Sequence, residues 1–526
     1  MLPVQSSDKG LYMGLVAERA AQTHGDQLIV LDHDMDLLPD AGRKLTFAEL
    51  AEHIDDMAAR LYAAGVRRGE HVALHKSNGF DINILSSAVA RLGAVPVQLS
   101  PYLDAASVLA LLERLGGPYL VTDTAKLDGS FADAPLAELT AEVILVAGSR
   151  PGTVSLTDLA GAPRQEPVVP HPDLPALMTH TSGTTGLPKL VVHSARTLHG
   201  RYRPQAKLFD MIRETETVAL HVSYVHSRMP LALAVLLPRG NRMVIMNDAE
   251  PEAVARLWAE TRPGFIESHP NSFMEWEVLT EHPLRPLSNV KYFSTTFDAI
   301  HPSTMDKLLH ATDRSSPLFY QIYGQSETGP LVGRGFTRKT AAGADGRCQG
   351  YAFPSDTKFR LVSRNGQPVT RENPGYIDVQ AAGRALGYFG ERERYDTQVH
   401  GGWWRGMDLG YRTEEGCLHL LDREVDSIPG IASTLEIEDT VLGRLDELTE
   451  LVVVPGPAKE GVPVLCTRED LPLDLARWKT ATAEWPQLAD PVQMKLSELP
   501  RTATMKVQRI ELSARLAAAA LRGLDG

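Results

Sequence analysis

Cysteine is scarce in this chain. Three cysteines, Cys348, Cys417 and Cys466, occur among 526 residues, and long stretches of sequence separate them. A set this small and this dispersed is not typical of a disulfide framework or of a zinc site. The cysteine usage predicts a reducing environment, and we expect a cytoplasmic protein.

Blocks of positive charge and long apolar runs are also absent. The formal net charge is −13, and the 53 lysines and arginines are dispersed rather than clustered, which argues against a nucleic-acid partner. The apolar run at residues 231–237 is far shorter than the roughly 20 residues of a membrane-spanning helix. Residues 1–9 lack the basic start and apolar core of a signal peptide. We therefore expect neither membrane insertion nor secretion.

The length and the hydrophobic pattern predict a layered protein with more than one domain. The chain exceeds the roughly 250–300 residues at which a single core stops growing. Helical periodicity at residues 47–64 and 82–92 alternates with short apolar strands at 71–75 and 94–99. Such alternation is typical of parallel strands joined by helical crossovers. The sequence thus predicts an α/β fold.

The first functional motif is a run of hydroxyl and glycine residues that ends in a lysine. It contains Thr181, Ser182, Gly183, Thr184, Thr185, Gly186 and Lys189. Glycines let the backbone approach a ligand closely, so that amide and hydroxyl groups can surround phosphate oxygens beside the lysine charge. The run is not a Walker A loop, because two residues separate Gly186 from Lys189. ATP is the first candidate ligand, and a flexible surface turn is the alternative.

The second motif lies at residues 320–330. An apolar, strand-like approach leads to Tyr323, a turn at Gly324, and then Ser326 and Glu327. An aromatic face can stack on a purine, Ser326 can form a hydrogen bond nearby, and a carboxylate can hold Mg²⁺ beside the phosphates. Together the two motifs indicate a Mg·ATP site more specifically than either does alone.

Two later segments complete the pattern. Asp408 lies within residues 403–411, and Lys506 lies within residues 500–509. In this order and at these separations, the four segments resemble the adenylate-forming superfamily of acyl-CoA synthetases, peptide-synthetase adenylation domains and luciferases. The resemblance starts near residues 45–50 and spans nearly the whole chain. Four ordered motifs are far more specific than one.

The resemblance implies a division into a large and a small domain. A large, layered N-terminal AMP-binding domain would span residues 1–422, a hinge region 423–430, and a small mobile α+β domain 431–526. The active site would lie between the two domains. In the relatives the small domain turns about the hinge between the two half-reactions.

Nucleotide-binding roles follow from the same resemblance. The run at 181–189 would grip the β- and γ-phosphates, with Thr184 and Glu327 as metal ligands. Tyr323 would stack on adenine, and a packed core tyrosine is the alternative. Asp408 would accept hydrogen bonds from the ribose hydroxyls, unless it is only a turn aspartate.

Four further residues follow from the resemblance. Asp298 occupies the place of an adenine-contacting loop, and Arg423 would reach the ribose or a phosphate. Lys506 resembles a mobile lysine that contacts the acid oxygen and the α-phosphate as charge develops there. His226 resembles the residue that closes the acid pocket, and a buried, satisfied histidine is the alternative.

The chain departs from the family pattern at several positions. Met407 and Met505 stand where relatives usually have glycine, and the connection between Arg423 and Glu438 is a few residues short. In relatives the corresponding loop enters the active site during thioester formation. These departures make the use of CoA less certain than the use of ATP. A nearby charge, Arg228, could pair with an anionic substrate or lie in solvent.

The sequence therefore predicts an ATP-dependent adenylate-forming ligase. It would activate a small acid, release pyrophosphate and transfer the acid to a nucleophile, with CoA as the first candidate because it is the commonest acceptor in the family. A carrier-protein thiol is another acceptor. A diazotase-type enzyme, which activates nitrite for attack by an arylamine, is an alternative. A nucleotide-binding protein without catalysis is the alternative outside the enzymes.

Overall fold

The structure is a computed structural model that describes residues 10–181, 187–296, 300–502 and 506–524. Its α-helices are α1 (Val16–His24), α2 (Phe47–Ala63), α3 (Asp81–Arg91), α4 (Ala105–Leu115), α5 (Thr124–Asp128), α6 (Leu136–Leu139), α7 (Ala195–Phe209), α8 (Arg228–Leu236), α9 (Pro251–Thr261), α10 (Pro270–Glu275), α11 (Pro302–His310), α12 (Arg338–Ala341), α13 (Arg392–Asp396), α14 (Thr434–Arg444), α15 (Leu475–Ala481) and α16 (Arg509–Leu524).

The strands are β1 (Leu28–Leu31), β2 (Lys44–Thr46), β3 (His71–Leu74), β4 (Val95–Gln98), β5 (Tyr119–Thr122), β6 (Glu142–Leu145), β7 (Val154–Ser155), β8 (Pro175–His180), β9 (Leu190–Ser194), β10 (Val218–His221), β11 (Met243–Ile245), β12 (Phe265–Ser268), β13 (Tyr292–Thr295), β14 (Leu318–Gln325), β15 (Gly329–Phe336), β16 (Cys348–Ala352), β17 (Thr357–Val362), β18 (Gly375–Ala381), β19 (Gly387–Tyr388), β20 (Val399–His400), β21 (Trp403–Arg412), β22 (Leu418–Arg423), β23 (Leu448–Pro455), β24 (Gly461–Thr467) and β25 (Val492–Gln493).

Helix α2 shows how local sequence sets an element. The Thr46 hydroxyl oxygen accepts a hydrogen bond from the Glu49 backbone N–H at 3.1 Å, and the Glu49 carboxylate accepts one from the Thr46 N–H at 2.7 Å. This capping box satisfies donors that the first turn leaves unpaired. The apolar face, with Leu50, Ile54 and Leu61, is buried. The helix begins at the predicted residue 47 and ends just before the predicted residue 64.

The largest sheet carries most of the cavity described below. Within the described residues its strand order is β17-β18-β21-β22-β16-β15-β14-β13-β12-β10-β11-β1-β2, with β20 beside β21. Strands β11, β10, β12, β13 and β14 run parallel. Their carboxyl ends therefore meet at one edge of the sheet, where open α/β sheets commonly bind ligands. Strand β15 returns antiparallel to β14.

The second sheet has the order β19-β9-β8-β4-β3-β5-β6-β7. Strands β8, β4, β3, β5 and β6 are parallel, and β9 returns antiparallel to β8. The strands predicted at residues 71–75 and 94–99 are β3 and β4, with the predicted helix α3 between them. The α/β prediction is confirmed.

A small sheet of order β23-β24-β25 follows in the C-terminal part of the chain. Strand β23 pairs antiparallel with β24, which pairs parallel with β25, and helices α14 and α16 contact β23. The predicted fold class, a large layered part followed by a small α+β part, is confirmed. The boundaries at residues 422 and 431 stay a prediction.

An aromatic cluster supports the strands that lead to the cavity. Trp258 and Trp276 meet edge to face at 4.8 Å between ring centroids, and Phe293 of β13 stacks on Phe319 of β14 at 5.9 Å. All four side chains are buried. Aromatic pairs of this kind contribute more than their buried area alone. The cluster therefore packs β13 and β14 against helix α9 and the short helical turn Trp276–Glu281.

Two cysteines contradict the expectation drawn from their number and spacing. Cys348 and Cys417 form a disulfide, with 6.2 Å between their Cα atoms and a separation of 69 positions in sequence. The contact arises because β16 pairs with β22, a long-range pairing that spacing alone does not reveal. Cys466 is buried and reduced. The expected cytoplasmic location stays a prediction and loses the support of cysteine usage.

The apolar run at residues 231–237 is part of the core. Helix α8 holds most of this run, and all of its residues are buried. It packs against α7. Across the ranges that the structure describes, no helix is both long enough and apolar enough to cross a bilayer.

We expect Trp276→Ala to destabilise the large sheet. The indole is fully buried and its N–H donates to the Ala249 carbonyl oxygen at 2.9 Å, so truncation leaves a cavity and an unpaired acceptor. The free energy of unfolding, measured by urea denaturation, should fall by about 3–5 kcal/mol. Val278→Ala is the matched control, because Val278 lies in the same short helical turn but is exposed. A loss for Trp276→Ala no larger than that for Val278→Ala would contradict this role.

Candidate active site

A cavity of about 760 Å³ lies where the carboxyl ends of the parallel strands face the C-terminal part of the chain. This volume suits a small-molecule ligand. The predicted site residues in its wall are Thr181, Lys189, His226, Tyr323, Gly324, Ser326, Glu327, Asp408, Arg423 and Lys506. The predicted residues Ser182, Gly183, Thr184, Thr185, Gly186 and Asp298 lie outside the described residues, as does Met505.

The hairpin between β8 and β9 positions the phosphate motif. The Thr181 N–H donates to the Lys189 carbonyl oxygen at 3.0 Å, and the Lys189 N–H donates to the Thr181 hydroxyl oxygen at 3.2 Å. These bonds close the base of the loop. The Lys189 ammonium group lies 4.9 Å from the centre of the Tyr388 ring, and burial lowers its pKa. A partly desolvated cation at this position can attract a polyphosphate strongly.

Glu327 faces the same region from the turn between β14 and β15. Its Oε1 accepts a hydrogen bond from the Tyr388 hydroxyl at 2.5 Å, and burial and this carboxylate together raise the pKa of Tyr388. Magnesium bound with a nucleotide commonly takes one or two carboxylates in addition to phosphate oxygens and waters. The Glu327 carboxylate near Lys189 fits that requirement.

A buried arginine that the sequence analysis missed holds this turn in place. Arg201 of α7 donates to the Ser326 carbonyl oxygen at 2.7 Å and to the Gly383 carbonyl oxygen at 2.8 Å. Its side chain is almost fully buried, and burial lowers its pKa to about 10. Gly329 has a φ of +76°, and a Cβ there would lie 2.9 Å from Arg201 Cγ, so the arginine needs a glycine beside it.

The nucleoside end of the cavity contains a compact polar network. The Tyr323 hydroxyl donates to Asp408 Oδ2 at 2.5 Å, and Gln325 Nε2 donates to the same oxygen at 2.8 Å. The Trp404 indole N–H donates to Gln325 Oε1 at 3.0 Å. Tyr323 is therefore neither free in solvent nor simply packed in a core. The other carboxylate oxygen of Asp408 is not used by these two donors, which suits an acceptor of ribose hydroxyls.

Arg423 lies beside this network. It is the register partner of Asp408 across the β21–β22 pair, and its Nε lies 3.3 Å from Asp426 Oδ2. The strand pairing thus brings a carboxylate and a guanidinium to the same end of the cavity. Both could contact a nucleotide there.

Lys506 reaches the cavity from the C-terminal part of the chain. Its N–H donates to the Thr502 hydroxyl oxygen at 3.2 Å, and its carbonyl oxygen accepts from the Thr502 N–H at 2.8 Å. The Lys506 charge is close enough to His226 and His269 to lower their pKa values. The structure therefore places Lys506 and His226 in the wall of the same cavity, and their roles stay predictions.

His226 is a neutral hydrogen-bond donor in this arrangement. Burial, with the charges of Arg201, Lys506 and Arg228, lowers its pKa to about 3. The Arg228 backbone N–H donates to His226 Nδ1 at 3.1 Å, so the neutral ring carries its proton on Nε2. Its Nε2–H can donate to an oxygen, whereas a role as proton acceptor would require the other tautomer.

Arg228 is not the solvated charge that the sequence left open. Its guanidinium forms a two-point ion pair with Glu267, at 2.6 Å from Nε to Oε1 and 2.5 Å from Nη2 to Oε2. Gln205 Oε1 accepts from Arg228 Nη1 at 2.7 Å. Arg228 and Gln205 line the cavity. The sequence left Arg228 open between an anionic substrate and solvent, and it gave no sign of Glu267, which lies on β12.

We expect acid to destabilise the protein through its buried histidines. Above the ordinary pKa of 6.5, His226 is neutral in both folded and unfolded chains, whereas between 6.5 and about 3 only the unfolded chain binds a proton. The free energy of unfolding therefore falls as pH falls, by about 1.4 kcal/mol per pH unit for each such group. His226→Gln should reduce this slope, measured by urea denaturation between about pH 7 and pH 5.

His171→Gln is the control for that experiment, because the His171 side chain is exposed. This variant should keep the slope of the parent. If His226→Gln also kept the parent slope, the lowered pKa of His226 would be contradicted.

Comparison with known proteins agrees with this geometry. The family model described as AMP-binding enzyme matches residues 17–389. A 3-amino-2-hydroxy-4-methoxybenzoate diazotase of Streptomyces cremeus is 43% identical, with 96% of this chain and 95% of that protein covered. A 4-chlorobenzoate–CoA ligase of an Arthrobacter species is 28% identical, with 90% of each chain covered.

The fold is also found among solved structures. The crystal structure of an anthranilate CoA ligase in complex with anthranoyl-AMP superposes with a TM-score of 0.81 at 18% identity, and the match covers 98% of each chain. At that identity the likeness bears on the fold alone. The family model covers more than half of this chain, and its residues fall on both of the larger sheets. The chain therefore belongs to the AMP-binding enzyme family, within the adenylate-forming superfamily.

Proposed function

We propose that the protein is an ATP-dependent diazotase, which activates nitrite as an adenylate and transfers its nitrosyl group to an aromatic amine. The observation that carries the proposal is the 43% identity to a diazotase along 96% of the chain. The name of that relative describes an aromatic amine with hydroxyl, methoxy and carboxylate groups. Two features of the cavity support the same assignment.

The first feature is the short connection after β22. Asp422 Oδ2 accepts from the Thr434 N–H at 2.7 Å, and Asp422 Oδ1 accepts from the Leu435 N–H at 3.1 Å and from the Ser433 hydroxyl at 3.1 Å. Asp422 thus ties the two ends of the connection together. In relatives that make thioesters, a longer loop here enters the active site. The tight connection favours an acceptor other than CoA.

The second feature is the inner wall of the cavity, which is apolar and largely aromatic. Leu208 and Phe209 of α7, Leu231 of α8, Phe265 of β12 and Phe293 of β13 line it. Aromatic side chains offer flat apolar surface to a flat ring. The wall therefore suits an aromatic substrate, and nitrite alone would leave most of it uncovered.

The proposed reaction needs no external oxidant or reductant. A nitrite oxygen attacks the α-phosphorus of ATP and displaces pyrophosphate. The amine nitrogen then attacks the nitrosyl nitrogen, so that an N–N bond forms, the N–O bond to AMP breaks and the amine loses a proton. Tautomerisation moves a second proton to oxygen, and departure of that oxygen as hydroxide leaves the diazonium group.

The side chains around the reacting centre would act electrostatically. Lys506 would stabilise the negative charge that develops between the nitrite oxygen and the α-phosphate. The His226 Nε2–H would donate to the activated nitrite, because its Nδ1 already accepts from Arg228. Lys189 would hold the polyphosphate. Magnesium at Glu327 would neutralise phosphate charge when it is bound.

CoA is the competing acceptor, and the sequence analysis placed it first. The 28% identity to a 4-chlorobenzoate–CoA ligase supports CoA as an alternative acceptor. A carrier-protein thiol is a third acceptor. These alternatives share the adenylation step and differ in the second product, so product analysis separates them.

We expect diazonium formation from an aromatic amine to require ATP and nitrite but not CoA. Purified protein would be incubated with Mg·ATP, nitrite and aminobenzoates, and products would be analysed by mass spectrometry after coupling to 2-naphthol. AMP and pyrophosphate should form in step with the azo product. Acyl-CoA formation from aromatic acids, with nitrite inert, would assign the protein to the CoA ligases instead. Absence of product from every combination would favour a nucleotide-binding protein without catalysis.

We expect Lys506→Ala to lower the rate of pyrophosphate release by roughly 10²- to 10³-fold, as expected for loss of one group that stabilises transition-state charge. ATP binding, measured by calorimetry, should change much less. Lys479→Ala is the matched control, because Lys479 is an exposed lysine of helix α15 in the same part of the chain. Equal rates for the parent and Lys506→Ala would remove Lys506 from the mechanism.

A further inference from the structure

A buried charged pair lies beside the apolar residues of the inner wall of the cavity, and Arg228, one member of this pair, lines the cavity. Side-chain exposure is 9% for Arg228 and 1% for Glu267. The neighbouring cavity residues Leu231 and Phe265 are apolar and belong to the same two elements, α8 and β12. A small number of precisely held polar groups in an apolar pocket is the usual pattern of a recognition site.

Fold stability gives little reason for such a pair. Removing two charges from water costs several kcal/mol, and an apolar pair of similar volume is often as stable or more stable. Arg228 and Glu267 could thus be replaced by two apolar residues without loss to the core. Their presence beside a ligand cavity is better explained by a ligand.

The hydrogen-bond capacity of Arg228 points in the same direction. A guanidinium group has five N–H donors. Glu267 accepts two of them and Gln205 accepts a third. Gln205 is in turn fixed, because its Nε2 donates to the Arg201 carbonyl oxygen at 2.9 Å. The guanidinium is therefore held on two sides, and within the part of the chain that the structure describes two of its donors remain for a group in the cavity.

The electrostatic surroundings favour an anion at that position. Arg201, Lys506 and Arg228 each lower the pKa of His226, which means that the potential at this ring is positive. Glu267 neutralises Arg228 as a pair, whereas the hydrogen bonds that Arg201 donates within the described residues go to two carbonyl oxygens and one hydroxyl, with Glu327 as its nearby carboxylate. A negatively charged oxygen is therefore favoured over a neutral one.

We propose that Arg228, held by Glu267 and Gln205, binds a carboxylate on the ring of the aromatic amine and so selects aminobenzoates over uncharged arylamines. This inference rests on the proposed function, because it concerns the amine substrate of that reaction. It adds a specificity determinant and a substrate class. Arg228 touches the ring substituent, while the amine faces the reacting centre near His226 and Lys506.

The test compares each aminobenzoate with the aminobenzamide of the same substitution pattern, which has the same shape but no charge. The ortho, meta and para isomers would all be used. Affinity would be measured by calorimetry with AMP present and nitrite absent, and kcat/KM for diazonium formation would be measured separately. The parent should prefer the best aminobenzoate by about 10- to 100-fold, the effect of one charge-assisted hydrogen bond.

Variants then assign the preference to Arg228. Arg228→Met with Glu267→Met removes the pair together and leaves no unpaired charge, and the preference should fall to near unity. Arg228→Lys keeps the charge but loses the fork of donors, so an intermediate preference is expected. If the double variant failed to fold, as judged by circular dichroism, the preference of the lysine variant would test the role of Arg228. A preference equal to that of the parent would then contradict the role.

The matched control is another arginine–glutamate pair in the large sheet region. Arg314 Nη2 lies 2.6 Å from Glu216 Oε1, and neither residue lines the cavity. Arg314→Met with Glu216→Met should keep the preference of the parent. A preference that survives in the Arg228→Met, Glu267→Met variant would overturn the proposal.

The outcomes separate this inference from the proposed function. Tight, charge-dependent binding of aminobenzoates without diazonium formation would support the role of Arg228 and would contradict the proposed diazotase activity. Diazonium formation at equal rates from aminobenzoates and aminobenzamides would support the diazotase activity and would contradict the role of Arg228. Release of pyrophosphate from aminobenzoates without nitrite would place the carboxylate at the reacting centre and overturn the proposal as well.

Discussion

The positions of Glu327 and Tyr388 in the cavity wall depend on the burial of one guanidinium group. Arg201 crosses from α7 to the turn before β15 and to the segment before β19, and it donates to a backbone carbonyl in each. The Ala385 N–H in that segment donates to the Glu327 carbonyl oxygen at 2.7 Å. Glu327 and Tyr388 meet because these two segments are held together. A Cβ on Gly383 would lie 2.5 Å from Arg201 Cγ, so little side-chain variation is compatible with this contact.

Burying a cation has electrostatic consequences nearby, even with the Glu327 carboxylate close enough to act on Arg201. Arg201 contributes to the lowered pKa of both His193 and His226. Positive potential and desolvation act in the same direction on a histidine, since both disfavour its charged form. The site therefore presents neutral imidazoles and fixed cations. That combination favours anions, and it disfavours the charged form of a basic group.

The sequence predicted the parts of the site whose chemistry is local. The run at residues 181–189 and the segment 320–330 carry their own glycines, hydroxyls and carboxylate, so they could be recognised without the fold. Helix α2 was placed closely because its apolar residues recur with helical periodicity within one short segment. Arg201, Tyr388 and Glu267 were missed because their partners are far away in sequence. The disulfide between Cys348 and Cys417 was missed for the same reason, since only the pairing of β16 with β22 brings them together.

The physical demands of the two half-reactions explain why adenylation was easier to infer than the acceptor. Adenylation requires a polyphosphate cradle, a carboxylate near magnesium and a cation at the α-phosphate, and those groups lie in recognisable motifs. The wall that we propose for the acceptor is assembled from α7, α8, β12 and β13, and no two of these elements share a motif. A fold shared at 18% identity does not carry that wall with it. Sequence motifs therefore say little about the second substrate, whose contacts depend on the side chains of this wall, where we propose that Arg228 binds a carboxylate.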